Sequence, residues 1–323
     1  MDPRSLPTNL LQARSSRRLV VKLDSLGDRN NYALKRLLEV TDRAASQRYR
    51  IATGNEPFDL TLFVDVGHVG VEKLLRSARR PGPAFVFSEC DWPYPFMPGV
   101  YCSLTRAFPW ARSWSFLLPD GPPATCDSDA PEYLFSFVGR LATHPCRARV
   151  RALDSPTTPC LDISEAADRF PGWDYSEGYR RLIGNSAFVL CPRGFGASSI
   201  RIFEAMRMGR APVVIGDAWI PPPLVDWSSF SIRVREADIA AVPAILRQHA
   251  PMARDMGMRA RQIFEQLYAP SKFLERLLDF CTDELPLGGR LSPIARGARA
   301  FSTREIREIL YPAKIRLKRL VNP

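Results

Sequence analysis

Apolar runs and helical patterns alternate along the first ninety residues of the chain. Uninterrupted apolar runs predict strands at Arg18–Leu23, Phe58–Val66 and Ala84–Ser88. Between them, apolar residues spaced three or four positions apart predict a helix at Asn30–Gln47 and a shorter one at Val71–Arg79. Strands that alternate with helices in this way favour a mostly parallel sheet.

A second alternating series occupies the middle of the chain. Its predicted strands, with helical segments between them, are Tyr133–Gly139, Cys160–Ile163, Ala187–Cys191 and Pro212–Gly216. After Asp238 helical patterns dominate, in Ile239–His249, Met252–Tyr268 and Ser271–Phe280. Two such series predict an α/β protein with two Rossmann-like domains facing a cleft, because parallel sheets bind ligands beyond the carboxyl ends of their strands.

The segment between the two series has the composition of a domain boundary. Residues Cys90–Pro123 are rich in Pro, Trp and Phe, follow no regular period, and lead into the loop-like DGPPATCDSDAPE. We therefore place a linker near Asp120–Pro131. The 323 residues then divide into an N-terminal domain (1–130), a C-terminal domain (131–285) and a basic helical tail (286–323).

Charge is concentrated at the C-terminal end. The net charge is +11, and Arg290–Pro323 holds nine basic and two acidic residues. A nucleic-acid-binding protein would need a basic stripe on a folded face, so that class is disfavoured. Lys314–Leu320 alternates basic and apolar residues, which predicts contact with an anionic membrane surface. A solvated tail, or one packed on the N-terminal domain, is equally open.

Cysteine, histidine and acidic residues show no metal-site pattern. The seven cysteines are spread singly with no CxxC pair, the three histidines are far apart, and Asp127 and Asp129 lie in the linker-like loop. We predict that no metal is bound. The sequence has neither an apolar run of about 20 residues, as a membrane span needs, nor a secretory signal. We expect a cytoplasmic protein that can sit at the inner membrane face through its tail.

The stretch Ser186–Asp217 predicts a strand, a glycine-containing loop and a helix in succession. The helix, Ser198–Met208, has apolar residues at i, i+3, i+4 and i+7, which would pack on the sheet. Its first turn offers N–H groups and the positive end of the helix dipole, which suit the diphosphate of a nucleotide. Gly194 and Gly196 would let the backbone approach such a ligand closely.

The polar residues of this stretch have predicted roles at a nucleotide site. Arg193 would stabilise the charge that develops on a departing diphosphate. Ser198, Arg201 and Glu204 form a polar row predicted to face the cleft, where Glu204 would accept hydrogen bonds from the ribose hydroxyls. A merely solvated Arg193, or a simple ion pair between Arg201 and Glu204, is also open at this point.

The same stretch, extended to Ile239, resembles the signature of exostosin-like glycosyltransferases. The matching positions are Cys191, Pro192, Arg193, Gly194, Ser199, Arg201, Glu204, Ala205, Gly209, Pro212, Val213, Asp217, Pro221, Asp226 and Trp227. Phe137–Arg140 also resembles the Phe-x-Gly-basic strand of that family, so the resemblance covers Tyr133–Ile245. It implies a GT-B fold, a UDP-sugar donor, inversion at the anomeric carbon, and polysaccharide or glycan products.

From the residues and the resemblance together we predict a donor site. Its members are Arg140, Arg193, Gly194, Gly196, Ser198, Ser199, Arg201, Glu204 and Asp217. Eukaryotic members typically carry a membrane anchor and luminal cysteines, and because neither pattern is present here, a bacterial relative is expected. Residues 1–130, the acceptor side of this fold, match poorly, so the resemblance supplies no acceptor and no base.

An inverting transfer needs a general base near the acceptor hydroxyl. Candidates that follow N-terminal strands are Asp65, His68, Glu89 and Asp91. We predict Glu89 or Asp91, with Arg193, as the catalytic residues. Aromatic side chains suited to stacking on sugar rings surround this pair at Trp92, Tyr94, Phe96 and Tyr101. An aromatic loop that only covers a core is the alternative.

The expected function is transfer of a sugar from a nucleotide sugar to a saccharide or glycolipid acceptor. Fucosyltransferase-like proteins share a glutamate-containing donor helix but use a GDP donor. Arg193-Gly194 and Asp226-Trp227 favour the exostosin side of that choice. A non-catalytic relative that binds nucleotides or polyanions is the remaining alternative, and the joint presence of the donor-site residues disfavours it.

Overall fold

The computed structural model describes residues 17–25, 32–41, 46, 48–65, 83–93, 95, 97–119 and 131–285. The elements of the N-terminal half are β1 (Leu19–Ser25), α1 (Tyr32–Thr41), β2 (Tyr49–Ile51), β3 (Leu60–Asp65), β4 (Ala84–Ser88), β5 (Gly99–Tyr101) and β6 (Ala111–Ser113). Several sequence predictions fall outside the described residues: the helix at 71–79, His68, Asp127, Asp129 and the tail 286–323.

The C-terminal half continues the alternation. Its strands are β7 (Tyr133–Gly139), β8 (Cys160–Asp162), β9 (Ser186–Pro192), β10 (Ala211–Ile215) and β11 (Ile232–Val234). Its α-helices are α2 (Pro145–Arg151), α3 (Ala166–Arg169), α4 (Tyr175–Gly184), α5 (Arg201–Arg207), α6 (Val242–His249), α7 (Ala253–Ile263) and α8 (Pro270–Glu284). A π-helical segment, Phe264–Tyr268, joins α7 to α8, and 3-10 turns occupy Leu141–Thr143, Trp227–Ser229, Glu236–Ala241 and Ala250–Met252.

The described strands form two sheets. The N-terminal sheet has the order β2-β1-β3-β4-β5-β6 and the C-terminal sheet the order β11-β10-β9-β7-β8. The strand pairs in both sheets are parallel, as in β3 with β4 and β9 with β10. All residues of β9 and β10 are buried, as expected for a parallel sheet covered on both faces. The predicted α/β class with two parallel sheets, the GT-B arrangement, is confirmed.

The strands that stand out as apolar runs were placed well by the sequence, and four strands of three residues, β2, β5, β6 and β11, were not predicted. β4 and β7 have the predicted bounds, and β1, β3, β8, β9 and β10 differ by a few residues at their ends. The segment Cys90–Pro123, predicted as irregular, contains β5 and β6. These three-residue strands show no period of their own; they form because β4 offers a free edge, to which Gly99–Tyr101 pairs.

Helix α8 returns to the N-terminal sheet. Phe273 packs edge-on against Phe87 of β4, with ring centroids 5.3 Å apart. Arg48, just before β2, donates to Asp283 of α8 at 2.7 Å and also pairs with Asp279. The hydroxyl of Tyr49 donates to Asp279 at 3.0 Å. The last described helix therefore fastens the two halves together. The domain bounds stay predictions, since residues 120–130 are not described.

No helix among the described residues combines the length and the apolar character that a membrane crossing requires.

The turn after α5 approaches α7 so closely that only glycine fits at Gly257. A Cβ on Gly257 would run into the carbonyl oxygen of Gly209 and lie 3.2 Å from the Cα of Arg210. We expect Gly257→Ala to lower the free energy of unfolding by about 1–3 kcal/mol, the usual cost of overpacking against backbone. Urea denaturation monitored by tryptophan fluorescence measures this.

Gly184 provides the matched control, because it also lies in a helix and its Cβ would have Met208 Cε at 3.9 Å as its nearest neighbour. Gly184→Ala should leave stability unchanged or raise it by up to about 1 kcal/mol. Equal effects of the two substitutions would mean that the backbone contact at Gly257 is not limiting.

Candidate functional site

The predicted donor residues gather where the strand order of the C-terminal sheet reverses. β7 lies between β8 and β9. The chain therefore runs from β7 to β8 on one side and then crosses back past β7 to β9 on the other side. Such a switch point opens a crevice beyond the carboxyl ends of the strands. Arg140 follows β7, the segment Arg193–Ile200 follows β9, and Asp217 follows β10. These strands are neighbours in the sheet, so the three segments meet at one edge, and their role as a donor site stays a prediction.

The loop after β9 is folded around its own arginine. Arg193 is buried, with 3% of its surface exposed. Its Nε donates to the carbonyl of Gly196 at 3.1 Å and its Nη2 to that of Phe195 at 3.3 Å. Its backbone N–H donates to the carbonyl of Ile215 at 2.8 Å. The guanidinium is therefore fixed inside the loop, which excludes a freely solvated Arg193.

A second buried arginine, Arg147 of α2, was not predicted from the sequence. Its Nε donates to the carbonyl of Arg193 at 3.0 Å, its Nη1 to that of Arg140 at 3.1 Å, and its Nη2 to that of Pro192 at 3.3 Å. It thus ties the ends of β7 and β9 together. Burial, and next the charge of Arg201, lower the pKa of Arg147 to about 10. Part of this lowering comes from repulsion between two guanidinium groups, which an anion bound nearby would offset.

Arg201 points into the protein. It donates from Nε and Nη2 to the carbonyl of Val138, at 3.0 and 2.7 Å, and lies 5.2 Å from the centroid of the Phe137 ring. A Cβ on Gly139 would lie 2.6 Å from the Nη2 of Arg201, so the end of β7 must be glycine. The prediction that Arg201 and Ser198 face the cleft in one polar row is wrong in its geometry, because α5 begins at Arg201, not at Ser198.

Glu204, one turn into α5, is half-buried beside Tyr179 of α4. The Tyr179 hydroxyl donates to Glu204 Oε2 at 3.0 Å. Burial, followed by the charge of Glu204, raises the pKa of Tyr179. The tyrosine remains a neutral donor at any ordinary pH and holds one carboxylate oxygen of Glu204 in place.

Three buried hydroxyl groups near this loop lack hydrogen-bond partners within the described part of the chain. They belong to Ser198 and Ser199, each 4% exposed, and to Ser103 of the N-terminal half, 1% exposed. Buried polar groups in folded proteins are nearly always bonded, so an unbonded cluster calls for a ligand or water. Ser103 lies directly against the loop: a Cβ on Gly196 would lie 2.5 Å from Ser103 Oγ.

Asp91 occupies the same point of contact between the halves. A Cβ on Gly196 would lie 2.7 Å from Asp91 Oδ1, so glycine is required for the loop to approach this carboxylate. The rings of Trp92 and Phe195 meet beside it, with centroids 5.8 Å apart. Asp91 is half-buried. The predicted base and the predicted phosphate loop therefore face each other directly.

Glu89, the other predicted base, is engaged in the N-terminal core. It is 7% exposed, accepts from Arg36 Nη2 at 2.8 Å through Oε2, and accepts from the backbone N–H of Leu117 at 2.7 Å through Oε1. Burial raises the pKa of Glu89, and the Arg36 charge pulls that pKa back down. Both oxygens thus have protein donors. For the remaining candidates, the side chain of Asp65 and all of His68 lie outside the description.

Arg140 and Asp217 lie at the rim of the site, and both side chains are exposed. Asp217 Oδ1 accepts from the N–H of Glu236 at 2.9 Å, and the Asp217 N–H donates back to Glu236 Oε1 at 3.3 Å. These bonds join the segment after β10 to the segment after β11. The role of Asp217 in donor binding stays a prediction.

In the described residues no group of three His, Cys, Asp or Glu side chains is arranged to hold a metal ion. Metal independence itself stays a prediction. Six cysteines in that part of the chain are buried: Cys90, Cys102, Cys146, Cys160, Cys191 and Cys281.

Residues 128–249 match the family model of the Exostosin GT47 domain. The chain is 36% identical over 101 residues to an Exostosin-1 homolog from Caenorhabditis elegans, a match that covers 30% of this chain and 25% of the relative. It is 37% identical over 118 residues to the probable glucuronoxylan glucuronosyltransferase IRX7 of Arabidopsis thaliana, covering 35% of this chain and 26% of the relative. The chain thus spans about a quarter of the length of these relatives. Both are eukaryotic, so a bacterial origin stays a prediction.

Solved structures are similar at lower identity. Anabaena Alr3699/HepE in complex with UDP has a TM-score of 0.45 and 11% identity, covering 82% of this chain and 99% of that chain. An alpha1,3-fucosyltransferase with GDP has a TM-score of 0.42 and 13% identity, covering 84% of this chain and 92% of that chain. The fold assignment rests on the sheets and their strand order.

Loss of Arg147 should loosen the carboxyl ends of β7 and β9. Arg147→Met keeps an apolar stem but removes the guanidinium hydrogen bonds to the carbonyls of Arg193, Arg140 and Pro192, of which the Arg140 carbonyl still accepts from the Thr143 hydroxyl. We expect the free energy of unfolding to fall by about 2–4 kcal/mol. Urea denaturation measures the change. Arg149→Met, at an exposed position of the same helix, is the matched control and should lie within about 0.5 kcal/mol of the parent. A similar loss in both variants would contradict the assigned role.

Proposed function

We propose that this chain is a glycosyltransferase that moves a sugar from a nucleotide sugar, specifically a UDP-sugar, to a saccharide or lipid-linked saccharide acceptor. One observation carries the proposal: the Exostosin GT47 match, residues 128–249, contains the buried residues Arg147 and Arg193, bonded to each other through the carbonyl of Arg193, and the buried hydroxyls of Ser198 and Ser199 in the same loop. These residues lie at a sheet switch point, where this class of fold binds nucleotides.

The donor diphosphate fits the loop after β9. Arg193 is held by two loop carbonyls, so its position is set before the ligand arrives. Such preorganised donors stabilise the charge that develops on the leaving diphosphate without reorganisation at the moment of reaction. The hydroxyls of Ser198 and Ser199 supply further donors that have no partner among the described residues. In this proposal the arginine takes the charge-neutralising role, and no metal is required.

The ribose is assigned to Glu204. One of its oxygens is fixed by the Tyr179 hydroxyl at 3.0 Å, and the carboxylate is half-buried. A carboxylate held in this way can accept from ribose hydroxyls with its remaining lone pairs. Gly194 lets the loop backbone pass close to Arg147, because a Cβ at this position would lie 3.0 Å from Arg147 Nη2.

Asp91 is the general base of the proposed reaction. It removes the proton from the acceptor hydroxyl while that oxygen bonds to the anomeric carbon from the face opposite the diphosphate. The bond between the anomeric carbon and the phosphate oxygen breaks, and its electron pair leaves with the nucleoside diphosphate, so the configuration inverts. Asp91 touches the donor loop at Gly196, whereas both oxygens of Glu89 are occupied by Arg36 and Leu117. Glu89 is therefore assigned a positioning role.

The acceptor is placed against the aromatic pair of Trp92 and Phe195, whose rings lie beside Asp91. Aromatic faces suit the apolar faces of sugar rings. A cytoplasmic location at an anionic membrane surface, with the basic tail as the contact, would bring lipid-linked acceptors within reach.

Removal of the Arg193 guanidinium should weaken nucleotide binding. For Arg193→Ala we expect the Kd for UDP, measured by isothermal titration calorimetry, to rise about 10- to 100-fold, because a charge-assisted hydrogen bond is worth about 1.5–3 kcal/mol. Arg247→Ala, at an exposed position of α6, is the control and should bind UDP as the parent does. An unchanged Kd in Arg193→Ala refutes the phosphate assignment. Tighter binding of GDP than of UDP would favour the fucosyltransferase-like alternative.

Substitution should distinguish the roles of the two carboxylates, Asp91 and Glu89. Asp91→Asn removes the base, and we expect kcat for sugar transfer to fall about 10²- to 10⁴-fold with little change in the Kd for UDP. Glu89→Gln removes the charge opposite Arg36, and we expect a loss of about 1–3 kcal/mol in the free energy of unfolding with a smaller effect on kcat.

Steady-state transfer assays and urea denaturation of both variants give these quantities. A kcat loss confined to Glu89→Gln would reverse the assignment of the base. Donor binding without transfer by the parent protein, over a panel of acceptors, would favour the non-catalytic alternative.

A further inference from the structure

A second cavity lies away from the cleft, at the edge of the N-terminal sheet. It is bounded by β2, by the end of α1 and by the first turns of α8, and its volume is about 770 Å³. β2 is the terminal strand of its sheet, three strands from β4, after which Asp91 follows. At about 4.8 Å per strand, that separation is about 14 Å. The volume lies in the range of small-molecule sites, about 300–1,000 Å³.

One wall of the cavity is apolar. Val40 of α1, Ile51 of β2 and Leu274 of α8 line it, together with Leu38. Leu38 is one of the exposed large hydrophobic residues, with 38% of its surface accessible. Apolar surface inside a concave site favours a ligand that brings apolar surface of its own.

The other wall carries positive charge. Arg18, Arg50 and Lys272 line the cavity with one carboxylate, Glu275. Arg50 is held by Glu56 through two hydrogen bonds of 2.8 and 2.7 Å, so its charge is already balanced. Arg18 and Lys272 form no ion pair within the described ranges of the chain. The net field on this wall is therefore positive and is supplied by two exposed side chains.

The start of α8 adds to that field. The helix begins at Pro270, has no acidic residue in its first turn, and is preceded by Ala269, which makes no side-chain cap. Pro270 has no N–H group, and the N–H of Lys272 donates to the carbonyl of Ala269 at 2.9 Å, so this end contributes chiefly the positive end of the helix dipole. Ser271 and Lys272, both in this turn, line the cavity.

We propose that this cavity binds a small amphipathic anion: an organic molecule with an alkyl body, held by the apolar wall, and an anionic phosphate or carboxylate head, held by Arg18, Lys272 and the start of α8. The head group can come from an alkyl phosphate or from a fatty carboxylate, since the two share the required chemistry. The site is separate from the donor cleft and does not depend on the proposed sugar transfer.

Calorimetric titration of the full chain with octyl phosphate tests the proposal. We expect octyl phosphate to bind at least tenfold more tightly than inorganic phosphate, which lacks the chain, and than 1-octanol, which lacks the charge. Titration with octanoate identifies the preferred head group. If octanoate binds as tightly as octyl phosphate, the site accepts a carboxylate; if octanoate binds more weakly, the site prefers a phosphate. If neither anion binds better than both reference compounds, the proposal is wrong.

Charge reversal localises the binding. In Arg18→Glu/Lys272→Glu we expect the Kd for octyl phosphate to rise at least tenfold. A glutamate in the first turn of α8 favours the helix, so folding should be retained, as circular dichroism would verify. Lys35→Glu, an exposed lysine of α1 outside the lining, is the matched control and should bind as the parent does. Leu38→Ser should weaken the alkyl contact about threefold or more.

A Kd within twofold of the parent in the double variant would overturn the proposal. Displacement of octyl phosphate by UDP would do the same, because it would place the ligand in the donor cleft. Loss of UDP binding in Arg193→Ala with octyl phosphate binding intact would show that the two sites are independent.

Discussion

The structure depends on how three guanidinium groups are buried at the carboxyl ends of β7 and β9. Arg147, Arg193 and Arg201 are each at most 8% exposed, and each donates to backbone carbonyls at or just beyond these strand ends. A buried charge is costly unless hydrogen bonds or a counter-charge compensate it. Carbonyl oxygens compensate only part of that cost, because they carry no net charge. Burial, and next the charge of Arg201, lower the pKa of Arg147, and the positive charge left uncompensated at this edge of the sheet suits the anion site proposed above.

The same constraint explains the shape of the loop and the way the two halves meet. The three arginine side chains lie close to the backbone beyond the strands: a Cβ would lie 2.6 Å from Arg201 Nη2 at Gly139 and 3.0 Å from Arg147 Nη2 at Gly194, so small residues suit both positions. Gly196 then brings the loop against Ser103 and Asp91 of the N-terminal half. Helix α8 holds that approach in register, because its packing on β4 and its ion pairs with Arg48 join the halves at a second place. The loop that buries the arginine side chains is therefore also the loop that contacts the N-terminal half.

Sequence patterns predicted the strands whose limits are determined by their own residues. Strands β4 and β7 are apolar runs bounded by polar or turn residues, and their limits were placed correctly. Strands β2, β5, β6 and β11 are three residues long and are fixed by neighbouring strands, which leaves no periodicity to detect. The start of α5 was placed three residues early, at Ser198, because apolar spacing alone does not mark where a loop ends and a helix begins. Here both serines turn inward with unbonded hydroxyls, a loop conformation that depends on Arg193.

The predicted donor site could be identified from the sequence more easily than the acceptor side, and the reason is physical. Most donor-site groups lie within one strand-loop-helix unit, where charge, glycine and hydroxyl positions constrain each other over about thirty residues. The acceptor side joins distant segments: Glu89 is neutralised by Arg36, 53 residues earlier, and Asp91 is placed against Gly196, 105 residues later. A carboxylate's chemistry depends on such partners, which adjacent residues do not reveal. Glu89 and Asp91 look equivalent in sequence and become different only when α1 donates an arginine to one and the donor loop touches the other.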